Sequence, residues 1–225
     1  MISRRKLAAM IDHSVLRPES TEEDVRKGCK LALDLGLAAV VVNPAHVTLT
    51  AASLGTSSPV KPCSVISFPF GLSTTETKLN EATEAISHGA KEIDVVMNYS
   101  ALRSGKAEYV LNEIKEITGL ARRVVTTKTL VKVIIETCYL NEAQKRNACL
   151  LAVEGGADFV KTSTGFGLAG ATPEDVRLMR QTVGPNIGVK AAGGIRNLEQ
   201  ALKMVEAGAD RIGTSSSPSI LEGLE

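Results

Sequence analysis

An alternation of short strand-like runs with longer helical segments constrains the fold of this sequence more than any other feature. Several helical segments begin with recognisable caps: Thr21 precedes an acidic first turn, Thr74 precedes another segment, and Pro173 follows Thr172 at a first helical position. Strands that alternate with helices in this way form a parallel sheet. The runs that we predict as strands, rich in β-branched residues, are 10–14, 38–43, 63–68, 92–98, 131–137, 158–163, 187–191 and 211–214.

Eight strands are enough for a parallel sheet to close on itself, which removes both exposed edges. An open, doubly wound sheet is the competing architecture. Such a sheet favours a glycine-rich turn after the first strand, where residues 14–18 read Ser-Val-Leu-Arg-Pro instead. We therefore predict the α/β class, with a single (β/α)8 TIM barrel, a short N-terminal helix and one domain over residues 1–225.

The composition fits this barrel and argues against two classes of partner. At 225 residues the chain is near the lower end for the fold. Aromatic residues make up only 3% of it, and a core of aliphatic residues suits parallel strands that are buried on both faces. The net charge is +1 with both signs mixed along the chain, so we expect neither a nucleic-acid partner nor a membrane partner.

The cysteines show neither a CxxC pair nor a metal-ligand spacing with histidine; they are Cys29, Cys63, Cys138 and Cys149. The first ten residues lack an apolar signal-peptide run, and no stretch approaches the ~18 consecutive apolar residues of a membrane span. These patterns predict a reduced, cytoplasmic protein without a metal site.

Two lysines stand inside apolar strand runs, Lys161 after Phe-Val and Lys190 after Gly-Val. Lysine is rarely buried without a partner or a function, although each side chain could also reach a solvated rim. A free lysine with a pKa of ~10.4 is neutral in only about 4 parts in 10,000 at pH 7. A second ammonium group at ~4 Å would lower that pKa by roughly three units. We therefore interpret Lys161 as a nucleophile that Lys190 activates.

Two acidic residues near the carboxyl ends of predicted strands complete the candidate catalytic set. Asp94, two strands before Lys161, is predicted to relay protons or to keep Lys190 charged; it could also cap a loop. Asp12 precedes His13 and Ser14, and loop hydrogen bonding is an equal alternative for its role.

Three loops rich in glycine and hydroxyl groups follow the last three predicted strands. In barrel enzymes this region often binds phosphate, because glycine lets backbone N–H groups approach an oxyanion. Tight turns without a ligand would have a similar composition. The residues that we predict to bind substrate or phosphate are Thr164, Gly165, Gly193, Gly194, Ser215 and Ser216.

These residues lie in motifs that resemble those of the deoxyribose-phosphate aldolase family. Similar stretches extend from about residue 7 to 217, in order and at compatible spacing; the chief ones are 11–17, 92–98, 159–167 and 189–196. The resemblance implies reversible class I aldol cleavage of 2-deoxy-D-ribose 5-phosphate to D-glyceraldehyde 3-phosphate and acetaldehyde, with no metal or other cofactor. It also implies a homo-oligomer, either a dimer or a tetramer.

Position by position, Lys161 matches the Schiff-base lysine of the family, Lys190 its activating lysine and Asp94 its proton-relay carboxylate. Asp12 matches a further acidic residue at the site. The positions that match the family's phosphate-binding residues are Gly165, Gly193, Gly194, Ser215 and Ser216.

The sequence departs from the family pattern at several positions, none of them a matched catalytic residue. Ser67 stands where glycine is more usual, residues 121–129 are atypical, and the C-terminal tyrosine of some members is missing. Two other functions remain open at this point: a Schiff-base aldolase of another sugar phosphate, and a phosphosugar-binding barrel without activity. Release of acetaldehyde from the deoxy sugar would exclude the other aldolase, and the inactive barrel would show neither imine formation nor turnover.

Overall fold

Parallel strands pair in chain order and close into a barrel in the computed structural model, which describes residues 2–123, 129–222 and 224. β1 pairs with both β2 and β8, so that Asp12 lies beside Ala39 on one side and Gly213 on the other. This closure confirms the predicted barrel and contradicts the open sheet. Within the described residues the strands are β1 (Ile11–Val15), β2 (Ala39–Val42), β3 (Lys61–Ile66), β4 (Glu92–Val96), β5 (Leu130–Ile134), β6 (Phe159–Lys161), β7 (Gly188–Ala192) and β8 (Arg211–Thr214).

Helices connect the strands and surround the barrel, and the short N-terminal helix is present as predicted. The helices of the described residues are α1 (Arg4–Ala8), α2 (Glu22–Leu35), α3 (Val47–Leu54), α4 (Thr75–Ser87), α5 (Tyr99–Arg103), α6 (Ala107–Ala121), α7 (Glu142–Glu154), α8 (Pro173–Val183), α9 (Leu198–Glu206) and α10 (Ser217–Leu221). The predicted caps are confirmed: Thr21, Thr74 and Thr172 each accept a backbone N–H bond in the first turn of α2, α4 and α8. None of the helices described here is long and apolar enough to cross a membrane.

Five strands end one to three residues earlier than the sequence predicted, namely β2, β3, β4, β5 and β6. After two of them, β3 and β5, a residue with positive φ follows. Ser67 has φ 52° and ends β3 at Ile66, whereas Glu136 has φ 53° two residues after β5 ends at Ile134. A left-handed backbone cannot continue a pleated strand, so the predicted runs 63–68 and 131–137 were too long. Residues 124–128, which make up most of the atypical stretch before β5, lie outside the described residues.

The barrel interior is apolar on one side and charged on the other. Its apolar side comes from β2 and β3, whose inward side chains are Ala39, Val41, Cys63 and Val65. The larger hydrophobic core lies between the barrel and its helices. Because alternate residues of a strand point to the same face, charged positions two apart, such as Glu92 and Asp94 on β4, share the remaining interior.

Candidate active site

A cavity of about 440 Å³ opens at the carboxyl ends of the strands, where barrel enzymes hold their catalytic groups. The residues that sequence analysis singled out line it with one exception; those on its wall are Asp12, Lys161, Thr164, Gly165, Lys190, Gly193, Gly194, Ser215 and Ser216. The exception, Asp94, is fully buried and bonds both cavity lysines from below the surface of the cavity. The structure therefore brings all ten predicted site residues together.

The two lysines share one carboxylate oxygen. Lys161 Nζ donates to Asp94 Oδ2 at 2.8 Å, and Lys190 Nζ donates to the same oxygen at 2.7 Å. Lys161 and Lys190 are adjacent in register on β6 and β7. Their exposed fractions are only 3% and 1%, so neither reaches a solvated rim. Asp94 therefore holds two amines side by side at the base of the cavity.

Asp12 lies inside β1 and makes ion pairs, which contradicts the alternative that it serves only in loop hydrogen bonding. Lys190 Nζ lies 2.5 Å from Asp12 Oδ2, and Arg211 from β8 donates its Nε to Asp12 Oδ1 at 2.8 Å. Below them, Lys132 of β5 lies 2.6 Å from Glu92 Oε2 and donates to Asp94 Oδ1 at 2.8 Å. Arg211 also donates to Glu92 at 2.9 Å, which closes the network.

This interior network contains four bases and three carboxylates; they are Lys132, Lys161, Lys190 and Arg211 with Asp12, Glu92 and Asp94. With every group ionised it would carry one excess positive charge in a region shielded from water. Loss of one proton from a base removes that excess. An uncompensated buried charge is unfavourable, so the network favours one neutral amine.

The pKa directions identify Lys161 as that amine. Burial lowers the pKa of Lys161 and the positive charge of Lys190 lowers it further, against the opposing effect of Asp94. Burial also acts on Lys190, but Asp12 and Asp94 outweigh it and raise the pKa of that group. Similarly, carboxylates raise the pKa of Lys132 above its usual range in spite of burial. Burial, rather than repulsion between the lysines, is therefore the largest cause of the lowered pKa of Lys161.

Asp94 and Asp12 stay ionised because neighbouring cations outweigh the effect of burial on their pKa values. Burial by itself would raise the pKa of Asp94, but Lys132, Lys161 and Lys190 together hold that pKa well below its usual range. Burial likewise opposes ionisation of Asp12, whose pKa is lowered chiefly by Lys190. The site thus has fixed negative charges, a lysine that stays protonated and a lysine that is readily neutral.

Close packing of the loops after β6 and β7 requires glycine at the predicted phosphate positions. A Cβ on Gly193 would lie 3.0 Å from Gly170 Cα and 3.3 Å from Gly165 Cα. Gly194 has φ 80° and nothing within 4 Å of its Cβ position, so its backbone borders open space. Glycine at 193 therefore serves the loop contact, while Gly194 leaves the wall of the cavity open to a ligand.

Sequence analysis missed several charged residues of the network, namely Glu92, Lys132 and Arg211. Lys132 gave the same signal as Lys161 and Lys190, because it stands in the apolar run Leu-Val-Lys-Val-Ile of β5. Arg211 has its partners on β1 and β4, so only closure of the barrel reveals its role.

Comparisons with known proteins agree with this geometry. A family model described as DeoC/LacD family aldolase matches residues 6–221. The chain is 52% identical over 224 residues to a protein of Carboxydothermus hydrogenoformans named deoxyribose-phosphate aldolase, covering 100% of this chain and 97% of that protein. It is 53% identical over 223 residues to a protein of the same name from Thermococcus kodakarensis, with 99% and 98% covered. A solved deoxyribose phosphate aldolase from Aeropyrum pernix, whose tetrameric structure is described as unique, superposes with a TM-score of 0.90 at 38% identity, covering 98% and 92%.

Proposed function

Since the chain belongs to the DeoC/LacD family of aldolases, we propose that it cleaves 2-deoxy-D-ribose 5-phosphate reversibly to D-glyceraldehyde 3-phosphate and acetaldehyde. The reaction proceeds through a Schiff base on Lys161. One observation carries this assignment: a buried lysine with a lowered pKa shares Asp94 with a second lysine at the base of an open cavity. A neutral amine in that position is the nucleophile that a class I aldolase needs.

Lys161 begins the reaction when its neutral amine attacks the C1 aldehyde of the open-chain sugar, and one amine proton passes to the new alkoxide. The protonated Lys190 then donates a proton to the carbinolamine hydroxyl, which leaves as water. The product is a protonated imine on Lys161. The positive charge has moved from Lys190 to the imine, so the charge of the buried network is unchanged.

Bond cleavage uses the imine as an electron sink. Neutral Lys190, linked to the site through Asp94, accepts the proton of the C3 hydroxyl. The electrons of the C2–C3 bond form the C1–C2 double bond of an enamine, and glyceraldehyde 3-phosphate departs. Lys190 returns its proton to C2 of the enamine. Water then adds to the imine, and the proton that it releases passes to Lys190. Acetaldehyde departs, and Lys161 is again a neutral amine.

The substrate phosphate binds in the cavity wall formed by the loops after β6, β7 and β8. The Gly193–Gly194 backbone and the Ser215–Ser216 segment border the same cavity as Lys161. Backbone N–H groups and hydroxyls are suitable donors for a phosphate dianion. This arrangement supports a substrate with an aldehyde at one end and a phosphate at the other.

Borohydride trapping tests the assignment directly. The protein is incubated with deoxyribose 5-phosphate, reduced with borohydride and mapped by mass spectrometry. We expect an acetaldehyde-derived adduct on Lys161, with loss of both adduct and turnover in Lys161→Leu. The matched control is Lys203→Met, because Lys203 is an exposed lysine that pairs with Glu199 on its own helix. An adduct on another lysine, or release of aldehydes other than acetaldehyde and glyceraldehyde 3-phosphate, would contradict the proposal.

We also propose that the protein works as a cytoplasmic homo-oligomer. The tetrameric Aeropyrum pernix aldolase supports an assembly of identical chains. All four cysteines are free thiols, which suits a reducing compartment. Light scattering of the purified protein tests the assembly, and a mass equal to that of one chain would contradict it.

A further inference from the structure

Glu136 follows β5 in a conformation that is unusual for its residue type. Its φ is 53°, a left-handed backbone that is unfavourable for a residue with a Cβ, and its side chain is 1% exposed. Burial raises the pKa of its carboxyl group, against the hydrogen bonds that it accepts from Thr164. Both the backbone strain and the buried carboxylate are unfavourable for stability. The contacts of the Glu136 side chain must therefore offset both effects.

The carboxylate of Glu136 holds the loop that follows β6. Thr164 donates its backbone N–H to both carboxylate oxygens, at 3.2 and 3.3 Å, and its hydroxyl to Oε2 at 2.5 Å. The same Thr164 hydroxyl accepts the backbone N–H of Phe166 at 3.0 Å. One side chain from β5 therefore fixes three groups on both sides of Gly165.

Gly165 lies against the neighbouring loop after β7 with no side chain between them. Its φ is 88°, and a Cβ on Gly193 would lie only 3.3 Å from Gly165 Cα. Thr164, Gly165 and Gly193 all line the cavity that contains Lys161. The position of the Gly165 backbone, and with it the shape of the phosphate end of the cavity, thus depends on Glu136.

We infer that Glu136 is a positioning residue for substrate phosphate, acting through Thr164. The inference rests on the proposed function, because it concerns the same cavity. Its role is confined to one end of the substrate: Glu136 orders the loop that binds phosphate and takes no part in imine formation at Lys161. Loss of the contact therefore weakens binding of a phosphorylated substrate and leaves reaction with a small aldehyde intact.

Substitutions of Thr164 test the contact more specifically than substitutions of Glu136, because they do not alter the residue that has the strained backbone. Thr164→Val has a similar shape and removes only the hydroxyl, whereas Thr164→Ser keeps it. We expect the KM for deoxyribose 5-phosphate to rise about tenfold in Thr164→Val, because the charge-assisted hydrogen bond to Glu136 and the hydrogen bond from the Phe166 N–H are both lost. In Thr164→Ser the KM should stay within about twofold of wild type. Glu136→Gln, which loses the charge, should raise the same KM.

Acetaldehyde, which has no phosphate, supplies the second readout. The rate at which borohydride traps acetaldehyde on Lys161 should not fall in either variant. Thr164→Val alters no charge, and Glu136→Gln removes a carboxylate that favours protonated Lys161. The matched control is Glu81→Gln: Glu81 also accepts a backbone N–H from a residue with positive φ, Ser67, at 2.7 Å, but Ser67 and Glu81 lie outside this cavity. We expect Glu81→Gln to leave the KM for the phosphorylated substrate unchanged.

The possible outcomes distinguish failure of the proposed function from failure of the proposed role of Glu136. Absence of trapping on Lys161 in the wild-type protein overturns the proposed function. Normal wild-type trapping with an unchanged KM in Thr164→Val overturns the role of Glu136. A parallel fall of trapping and substrate affinity in Thr164→Val and Glu136→Gln also overturns it, because a general structural defect would then explain both.

Discussion

Replacement of Lys190 by Met should move the pH dependence of imine formation. Lys161 and Lys190 both bond to Asp94 Oδ2, at 2.8 and 2.7 Å, so their nitrogens lie no more than about 5.5 Å apart. Two unit charges at this separation repel by roughly 3 kcal/mol at an effective dielectric constant of about 20. That energy corresponds to roughly a hundredfold change in a protonation equilibrium. Loss of Lys190 should therefore raise the pKa of Lys161.

The direction of the change follows from the nucleophile. Only neutral Lys161 reacts, so the rate of imine formation rises as pH passes upward through its pKa. In Lys190→Met that rise should occur at higher pH, and below it the rate should be at least ~100-fold lower than in wild type. The rate of borohydride trapping with acetaldehyde, measured across the pH range, reports imine formation. Loss of the proton that Lys190 donates to the carbinolamine lowers this rate at every pH, whereas only the change in the pKa of Lys161 moves the pH at which the rate rises.

A control and a contrary result make this experiment decisive. Lys203→Met removes an exposed lysine charge far from the network and should leave the pH dependence in place. If the rise occurs at the same pH in Lys190→Met as in wild type, repulsion between the amines contributes nothing. Burial alone would then account for the lowered pKa of Lys161.

Further predictions follow from close contacts and buried groups elsewhere. A Cβ on Gly213 would lie 3.1 Å from Lys190 Cε, so Gly213→Ala should displace that lysine and lower kcat about tenfold in steady-state assays of a protein that remains folded. Lys78 and Glu113 form a buried ion pair at 2.8 Å; Lys78→Met should lower the free energy of unfolding in urea by about 3–5 kcal/mol, and Glu113→Leu in the same chain should restore part of it. Burial lowers the pKa of His13 to about 4 from 6.5, so the unfolded chain takes up this proton first. The stability due to neutral His13 is complete above pH 6.5 and declines by roughly 3 kcal/mol as pH falls to about 4; urea titrations of His13→Gln should show a smaller decline.

The fold and the positions of the candidate catalytic residues could be predicted because their signals are local. The alternation of strands and helices depends on spacing within each segment, and the caps at Thr21 and Thr172 depend on neighbours three residues away. Lys161 and Lys190 stood out because an ammonium group inside an apolar strand run needs a partner. These inferences needed no knowledge of the other strands.

Features that depend on packing between distant strands could not be predicted in the same way. Lys132 gave the same local signal as the catalytic lysines, yet its partners Glu92 and Asp94 make it a structural counter-charge below the cavity. The left-handed backbone of Glu136 accompanies its contact with Thr164 in the loop after β6, and no pattern around residue 136 indicates it. Register and closure decide which of several similar side chains meets the substrate.

The pairing of the first strand with the last links catalytic competence to completion of the chain. Asp12 and Arg211 are 199 residues apart, and Gly213 leaves the space through which Lys190 reaches its partners. Without β8 the barrel would stay open, and water would reach the interior amines. Docking of the final strand therefore completes the buried surroundings that lower the pKa of Lys161.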